Sequence, residues 1–210
     1  MVSTAFANSE DVSEVVTPDI KHSLLHSKLL FIDLSLPSSH YPLGASALAQ
    51  VFDSIGDEAP DVDLKLLKRS FCYVMKLIKQ HQILAGHDRS DGGLITTVLE
   101  MCFAGDCGVD LVVPSSVDAI GFLFNESLGW VLEVDETACE PLLRACNDHA
   151  IPAVIIGTTH EERVVRVMHN DEMLLCRNLI SLREEWESTS YQLSKLTYNE
   201  KYIELVTLLR

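Results

Sequence analysis

One run of eight consecutive residues, ending at Gly93, brings together side chains that can do chemistry: it reads G-H-D-R-S-D-G-G. Asp88 and Asp91 offer carboxylate oxygens, which Mg²⁺ prefers as ligands. Ser90 can donate a hydrogen bond to a phosphate oxygen, while Gly92 and Gly93 let a ligand approach the backbone closely. The start of the helix predicted to follow adds free N–H groups, which favour an anion. The run therefore predicts a site for a Mg²⁺–nucleotide, with the two aspartates as metal ligands and the other three residues as nucleotide contacts.

The same composition also suits a tight turn in which aspartate or serine caps the following helix, and such a turn needs no ligand. Composition alone leaves both interpretations open. The pair His87-Asp88 also invites comparison with an HD-type phosphohydrolase. That kind of site needs further histidine and aspartate ligands on helices, and the surrounding glycines favour a loop instead.

The elements around the run alternate between strand and helix, which indicates how the run is held. The clearest helix is capped by Asp61 or Asp63 and extends to about residue 82. Its apolar residues recur at helical spacing and predict a core-facing side: Leu64, Leu67, Phe71, Val74, Met75 and Ile78. Apolar patterning predicts strands at 28–35, 109–113, 130–134, 151–156, 164–168 and 173–176. It predicts further helices at 45–55, 94–104, 117–124, 136–149 and 182–196.

These alternating elements place the chain in the α/β class, as an α+β sandwich with a mixed β-sheet covered by helices. The last two strands are expected to form a hairpin through residues 169–172, and Gly56 is expected to end the helix at 45–55.

The charge of the chain limits its partners. The formal net charge of −15 disfavours non-specific binding to nucleic acid or anionic lipid. No apolar run approaches the roughly 20 residues that span a bilayer, and the first ten residues lack the basic start of a signal peptide. We therefore expect a cytoplasmic protein with no nucleic-acid or membrane partner.

The six cysteines form no C-x-x-C pair and lie mostly in apolar surroundings, so we expect reduced, buried thiols. Cys102 and Cys107 are spaced as metal ligands can be. No second pair or nearby histidine completes a tetrahedron, which favours core packing.

Matches beyond the glycine-rich run point to a family. The run is followed by L-E-M at 99–101 and F-A-G at 103–105, and together they resemble the corresponding stretch of the phosphoribosylformylglycinamidine synthases. Further short matches follow the family's order over nearly the whole chain, at residues 17–19, 43–44, 46–50, 61–63, 186–187, 189–190 and 192–193. This colinearity is more specific than any single motif.

The resemblance implies an ATP- and glutamine-dependent carbon–nitrogen ligase of de novo purine biosynthesis. In that family ATP activates the formyl amide oxygen of formylglycinamide ribonucleotide, and ammonia released from glutamine displaces phosphate to give the amidine. The resemblance implies that residues 28–178 form a domain like the C-terminal domain of aminoimidazole ribonucleotide synthetase. Residues 1–27 would end a preceding subdomain, and residues 179–210 would be a helical linker towards a glutaminase domain.

Residue roles follow from the same resemblance. By position, Asp88 is a Mg²⁺ ligand and Ser90 contacts ATP or ADP in a site viewed as structural. The remaining metal ligands are expected upstream of Met1, and the partners are the upstream synthetase half and the downstream glutaminase of the same synthase. Taken alone, the chain should be unable to make the amidine.

This chain departs from the family's pattern at one position, and one alternative function stays open. The family usually has a second glycine after Gly44, where this chain has Ala45. If that position needs a positive φ, alanine there costs about 1 kcal/mol. The rival is a stand-alone, non-catalytic paralogue that acts as a binding or interaction module. A segment of a larger enzyme should expose a large apolar surface, whereas a free-standing module should be monodisperse.

Overall fold

A computed structural model describes residue 8 and residues 11–21, 27–36 and 41–197 of the chain. The strands are β1 (Ser27–Asp33), β2 (Ala85–Asp88), β3 (Gly108–Val113), β4 (Gly129–Asp135), β5 (Ala153–His160), β6 (Val164–His169) and β7 (Glu172–Asn178). The helices are α1 (Ala47–Val51), α2 (Leu64–Lys79), α3 (Gly93–Gly105), α4 (Ala119–Phe124), α5 (Glu136–Asp148) and α6 (Leu179–Thr197).

The seven strands form one mixed sheet in the order β2-β4-β1-β5-β3-β6-β7. Strands β3 and β6 are parallel, and the other neighbouring pairs are antiparallel. The hairpin predicted through residues 169–172 joins β6 and β7. Strand β2, which leads into the glycine-rich run, lies at one edge of the sheet.

Helices cover both faces of the sheet, because side chains of a strand alternate between the two faces. On β1, Leu29 and Phe31 pack into one core cluster with α3 and α4. Leu30 and Ile32 pack into a second cluster with α2 and α5. The predicted class, an α+β sandwich with a mixed sheet covered by helices, is confirmed.

The predicted core-facing side of α2 is partly wrong. Phe71 and Met75 are 53% and 37% exposed, and Leu64 at the first turn is also exposed. The buried side is formed by Ser70, Tyr73, Val74 and Leu77. The sheet ends at β2, so the Phe71 side of α2 borders an open cleft instead of a further strand.

Two local predictions near the candidate site are also wrong. Residues 86–88 lie on β2 and not in a loop, because their backbone pairs with β4 from Gly86↔Leu132 to Asp88↔Trp130. Helix α1 is shorter than the predicted 45–55, since it ends at Val51.

The thiol prediction holds for four of the six cysteines. Cys72 and Cys176 are exposed, while the others are buried and free: Cys102, Cys107, Cys139 and Cys146. Cys72 lies on the outer side of α2, and Cys176 lies on β7, whose residues are mostly exposed. An apolar sequence neighbourhood therefore did not ensure burial at the two surface elements.

Candidate functional site

The edge strand β2 leads into the glycine-rich run, whose residues 88, 90 and 91 lie at the surface. Asp88 is its last residue, and its side chain is 69% exposed. The backbone N–H of Arg89 donates to the carbonyl of Gly129 at 2.8 Å, which extends the pairing with β4 by one residue. Ser90 and Asp91 are exposed on the turn that follows. The three predicted site side chains therefore face solvent, within four residues of one another along the chain.

Arg89 anchors this turn from within the protein. Its side chain is buried, with only 2% of the residue exposed. Its Nη2 donates to Asp33 Oδ1 at 2.9 Å, to Ser35 Oγ at 3.0 Å and to the Leu128 carbonyl at 3.0 Å, while Nε donates to the carbonyl of Ser127. These contacts tie the run to the end of β1 and to the segment before β4. Sequence reasoning missed this role, since an arginine beside two carboxylates suggests a surface residue.

His87 connects the strand to α3. Its Nε2 lies 3.3 Å from Glu100 Oε2, and its Nδ1 lies 3.3 Å from Asp88 Oδ1. The Thr97 hydroxyl donates to the carbonyl of Asp88 at 3.3 Å, which closes the turn against the same helix. His87 is therefore positioned between two carboxylates, one from the strand and one from the helix.

The local backbone geometry requires glycine at positions 92 and 93, whether or not a ligand binds. Gly92 and Gly93 have φ values of +84° and +76°, a region that disfavours side chains. A Cβ on Gly92 would lie 2.4 Å from Thr96 Oγ1, and one on Gly93 would lie 2.6 Å from the carbonyl carbon of Phe124. The turn therefore requires glycine at both positions in order to enter α3 and pack against α4.

The amide groups of the glycine turn are already engaged within the chain. The N–H of Gly92 donates to Glu126 Oε1 at 2.7 Å, and the N–H of Gly93 donates to the Ser90 carbonyl at 3.0 Å. The same Glu126 oxygen accepts from the N–H of Ala47 at 2.8 Å. The N–H groups predicted to be open to an anion are thus occupied at these two positions. Glu126 was not singled out from the sequence, because its partners lie 34 and 79 residues away.

The glycine-rich run offers two carboxylates to a cation, fewer than the six ligands of the octahedral geometry that Mg²⁺ takes. Asp88 and Asp91 are exposed carboxylates of the kind that a hard cation takes. Within the described ranges, no group of three or more histidine, cysteine, aspartate or glutamate residues is arranged to hold a metal ion. The two aspartates therefore fit a divalent cation only as part of a larger ligand set.

A largely apolar cleft of about 380 Å³ lies beside Asp88, between β2 and the exposed side of α2. The Phe71 and Trp130 rings on its walls have centroids 6.5 Å apart. The N-terminal segment passes along it, since the N–H of Gly86 donates to the Thr17 carbonyl at 3.0 Å. Its lining is Val16, Pro18, Phe71, Val74, Met75, Ile78, Gly86, His87, Asp88, Trp130 and Leu132.

The fold and the glycine turn define a class of domain. The chain belongs to the family described as AIR synthase related protein, C-terminal domain, whose family model matches residues 36–170. The solved structures that it resembles include PurL from Thermotoga maritima complexed with AMPPCP, with a TM-score of 0.61 and 14% identity over 81% of this chain and 27% of that chain. The same protein complexed with FGAR gives a TM-score of 0.58 and 17% identity over 75% of this chain and 27% of that chain. These likenesses show a shared fold.

Curated relatives are more specific. The chain is 41% identical to the phosphoribosylformylglycinamidine synthase of Homo sapiens over 93% of its own length, and 35% identical to that of Dictyostelium discoideum over 97% of its own length. It is 38% identical over 198 residues to a probable phosphoribosylformylglycinamidine synthase, chloroplastic/mitochondrial, of Arabidopsis thaliana. These matches cover 93–97% of this chain but only 14–16% of each relative. The family resemblance recognised from the sequence is confirmed.

Proposed function

We propose that this chain is a segment of a phosphoribosylformylglycinamidine synthase, the ligase that converts formylglycinamide ribonucleotide to the amidine with ATP and glutamine. The observation that carries the proposal is the 35–41% identity to relatives of that name over nearly the whole chain. Because the chain spans about 15% of the human relative, the complete reaction belongs to a longer protein and the chain alone makes no amidine.

The contribution of this segment is a Mg²⁺–nucleotide site of structural character. Asp88 and Asp91 ligate Mg²⁺, and Ser90, with the turn at Gly92 and Gly93, contacts ATP or ADP. The exposure of the three polar side chains on a turn anchored by a buried arginine supports this assignment. PurL structures with ATP, ADP and AMPPCP support a nucleotide as the ligand class. Mg²⁺, when bound, neutralises phosphate charge, and the residues of this chain hold it in place.

The partners are the remaining domains of the same synthase, namely the upstream synthetase half and the downstream glutaminase. Apolar side chains are exposed on several elements, among them Phe71, Met75, Leu64 and Trp186. Such surface is expected where a segment packs against other parts of its protein, and it favours this function over a stand-alone interaction module.

We expect a cytoplasmic location. Among the described residues, no helix has the length and apolarity needed to cross a bilayer.

The test exchanges this chain into the Homo sapiens synthase, in place of the matching segment, and measures the nucleotide and Mg²⁺ that stay bound after gel filtration. Asp88→Asn should lower both by at least about tenfold, since one carboxylate ligand is lost. Asp148→Asn changes an exposed aspartate at the end of α5 and should lower neither. Unchanged Mg²⁺ and nucleotide in the Asp88 variant would refute the site assignment. Amidine formation by the 210-residue chain alone would refute its dependence on other domains.

A further inference from the structure

We infer that the exposed side of α2 is a docking surface for a second copy of this chain, and that it binds the acidic loop of that copy, residues 51–63. Under two-fold symmetry the loop of each copy lies on α2 of the other. The contact uses none of the residues assigned to the nucleotide site, so the inference goes beyond the proposed function.

Helix α2 carries an excess of positive charge in an acidic chain. The chain has 16 basic and 31 acidic residues overall. The 16 residues of α2 include no acidic residue and five exposed basic ones: Lys65, Lys68, Arg69, Lys76 and Lys79. Arg69 donates to the carbonyl of Ala150, and no ion pair between described residues involves any of the four lysines. The charge of the lysines is therefore available to a partner.

Apolar side chains lie between these charges on the exposed side of α2. Spacings of three or four residues place one stripe along the helix, formed by Lys68, Phe71, Met75 and Lys79. Phe71 and Met75 are exposed there, and they line a depression of about 460 Å³ in the surface of the helix. A partner that fits this surface brings apolar side chains and negative charge together.

The acidic loop has that composition. Residues 51–63 include no basic residue and five acidic ones: Asp53, Asp57, Glu58, Asp61 and Asp63. Every residue of 51–59 is exposed, and three large apolar side chains of the loop are 74–83% exposed: Val51, Phe52 and Ile55. Large apolar side chains that are exposed this close together indicate an interaction surface. The loop therefore matches the exposed side of α2 in apolar character and opposes it in charge.

The two surfaces are free to pair between copies. Within one chain, no ion pair between described residues joins the loop to α2. Opposite charges guide the approach of a second copy, and contact of Phe52 and Ile55 with the α2 stripe removes apolar surface from water. Because each copy contributes both surfaces to one two-fold contact, the assembly closes as a dimer.

The experiment measures self-association of the full 210-residue chain by sedimentation velocity. The chain should form a dimer with twice the 23.3 kDa mass of one copy. Lys68→Glu/Lys76→Glu reverses two charges of α2, and Glu58→Lys/Asp61→Lys reverses two charges of the loop. Each double variant should raise the dissociation constant of the dimer at least about tenfold, since like charges then face each other. An equimolar mixture of the two variants should recover the dimer, because the reversed helix of one meets the reversed loop of the other.

Two further variants separate charge from contact. Glu161→Lys/Glu172→Lys changes the net charge as much as the loop variant does, at exposed positions outside both surfaces, and should dimerise as the unmodified chain does. Phe52→Ala keeps every charge and should raise the dissociation constant at least about fivefold, because an apolar contact is lost.

Three results would overturn the inference. The first is an unmodified chain that stays monomeric at concentrations up to about 100 μM. The second is a dimer that neither double variant at these surfaces weakens, which would place the contact elsewhere on the chain. The third is a mixture of the helix and loop variants that fails to recover the dimer.

Discussion

Arg89 shows how one buried charge can determine which of its neighbours face outward. Burial lowers the pKa of its guanidinium, and the nearby Asp33 carboxylate opposes that shift. The Phe31 ring, 4.9 Å from the guanidinium carbon, covers it from one side. A buried ion pair of this kind stabilises a fold little over apolar residues of the same size, although breaking it is costly. Its value here is positional, because a side chain drawn inward at residue 89 leaves Asp88 and Ser90 turned towards solvent.

Ionisation of Tyr41 should lower the free energy of unfolding at alkaline pH. Its hydroxyl donates to Asp33 Oδ2 at 3.2 Å, and burial, followed by the Asp33 charge, raises the pKa of Tyr41 to about 12. An unfolded tyrosine has a pKa of about 10. Between these values the folded state keeps a proton that the unfolded state releases, so the free energy of unfolding falls as pH rises. Below about pH 10 the contribution is fully present.

We expect a loss of roughly 1–2 kcal/mol between about pH 10 and pH 12 from this group, after allowing for its partial exposure. Urea denaturation across that range measures the loss. Tyr41→Phe removes the ionisable hydroxyl and should show a shallower decline, while the other titrating groups are shared. Parallel declines in the two proteins would show that Tyr41 is not responsible.

At the scale of elements, the loop before α1 keeps a conformation that its sequence does not favour. Ala45 has a φ of +58°, so the position does need a positive φ. The N–H of Ala45 donates to the Ile55 carbonyl at 2.7 Å, and Gln50 Nε2 donates to the Ala45 carbonyl at 3.0 Å. These two hydrogen bonds hold Ala45 in this conformation. Alanine in this region is strained where glycine is not.

Ala45→Gly should therefore raise the free energy of unfolding by about 0.5–1 kcal/mol, since relief of strain exceeds the added flexibility of the unfolded chain. Ala145→Gly, in the interior of α5, should lower it by about 1 kcal/mol. Chemical denaturation of both variants gives the comparison. A lower free energy of unfolding for Ala45→Gly would contradict this prediction, because it would show that the Cβ of Ala45 stabilises the loop.

Elements with a strong apolar period were predictable, and elements that depend on distant partners were not. The 3.6-residue period and the Asp63 cap located α2, but periodicity could not say which side of it the sheet would reach. Strand β2 has no pattern of its own, with Gly86 and two polar residues in four, and exists because β4 pairs with it. Glu126 contacts the glycine turn through the packing of α3 against α4, which no local signal encodes.

At the scale of the whole molecule, the candidate site lies at an edge. Strand β2 ends the seven-stranded sheet, and the cleft beside it has apolar walls on α2 and β4. Asp88 is one of the residues that line that cleft. A cation site that has two carboxylates at such an edge can take its further ligands from an adjoining domain. The relatives, which are several times longer than this chain, agree with such an arrangement. Two of the colinear motifs that made the family recognisable, at 46–50 and 61–63, contain the N-cap residues of α1 and α2, Ser46 and Asp63.

The most direct test of the account locates the cation itself. Crystals of a synthase that contains these residues, grown with Mn²⁺ and ADP, would be measured for anomalous scattering of manganese. We predict a peak within about 2 Å of an Asp88 carboxylate oxygen, in contact with the phosphates of ADP. A well-ordered Asp88 turn with no manganese peak beside it, or a nucleotide bound with its metal elsewhere, would contradict the account.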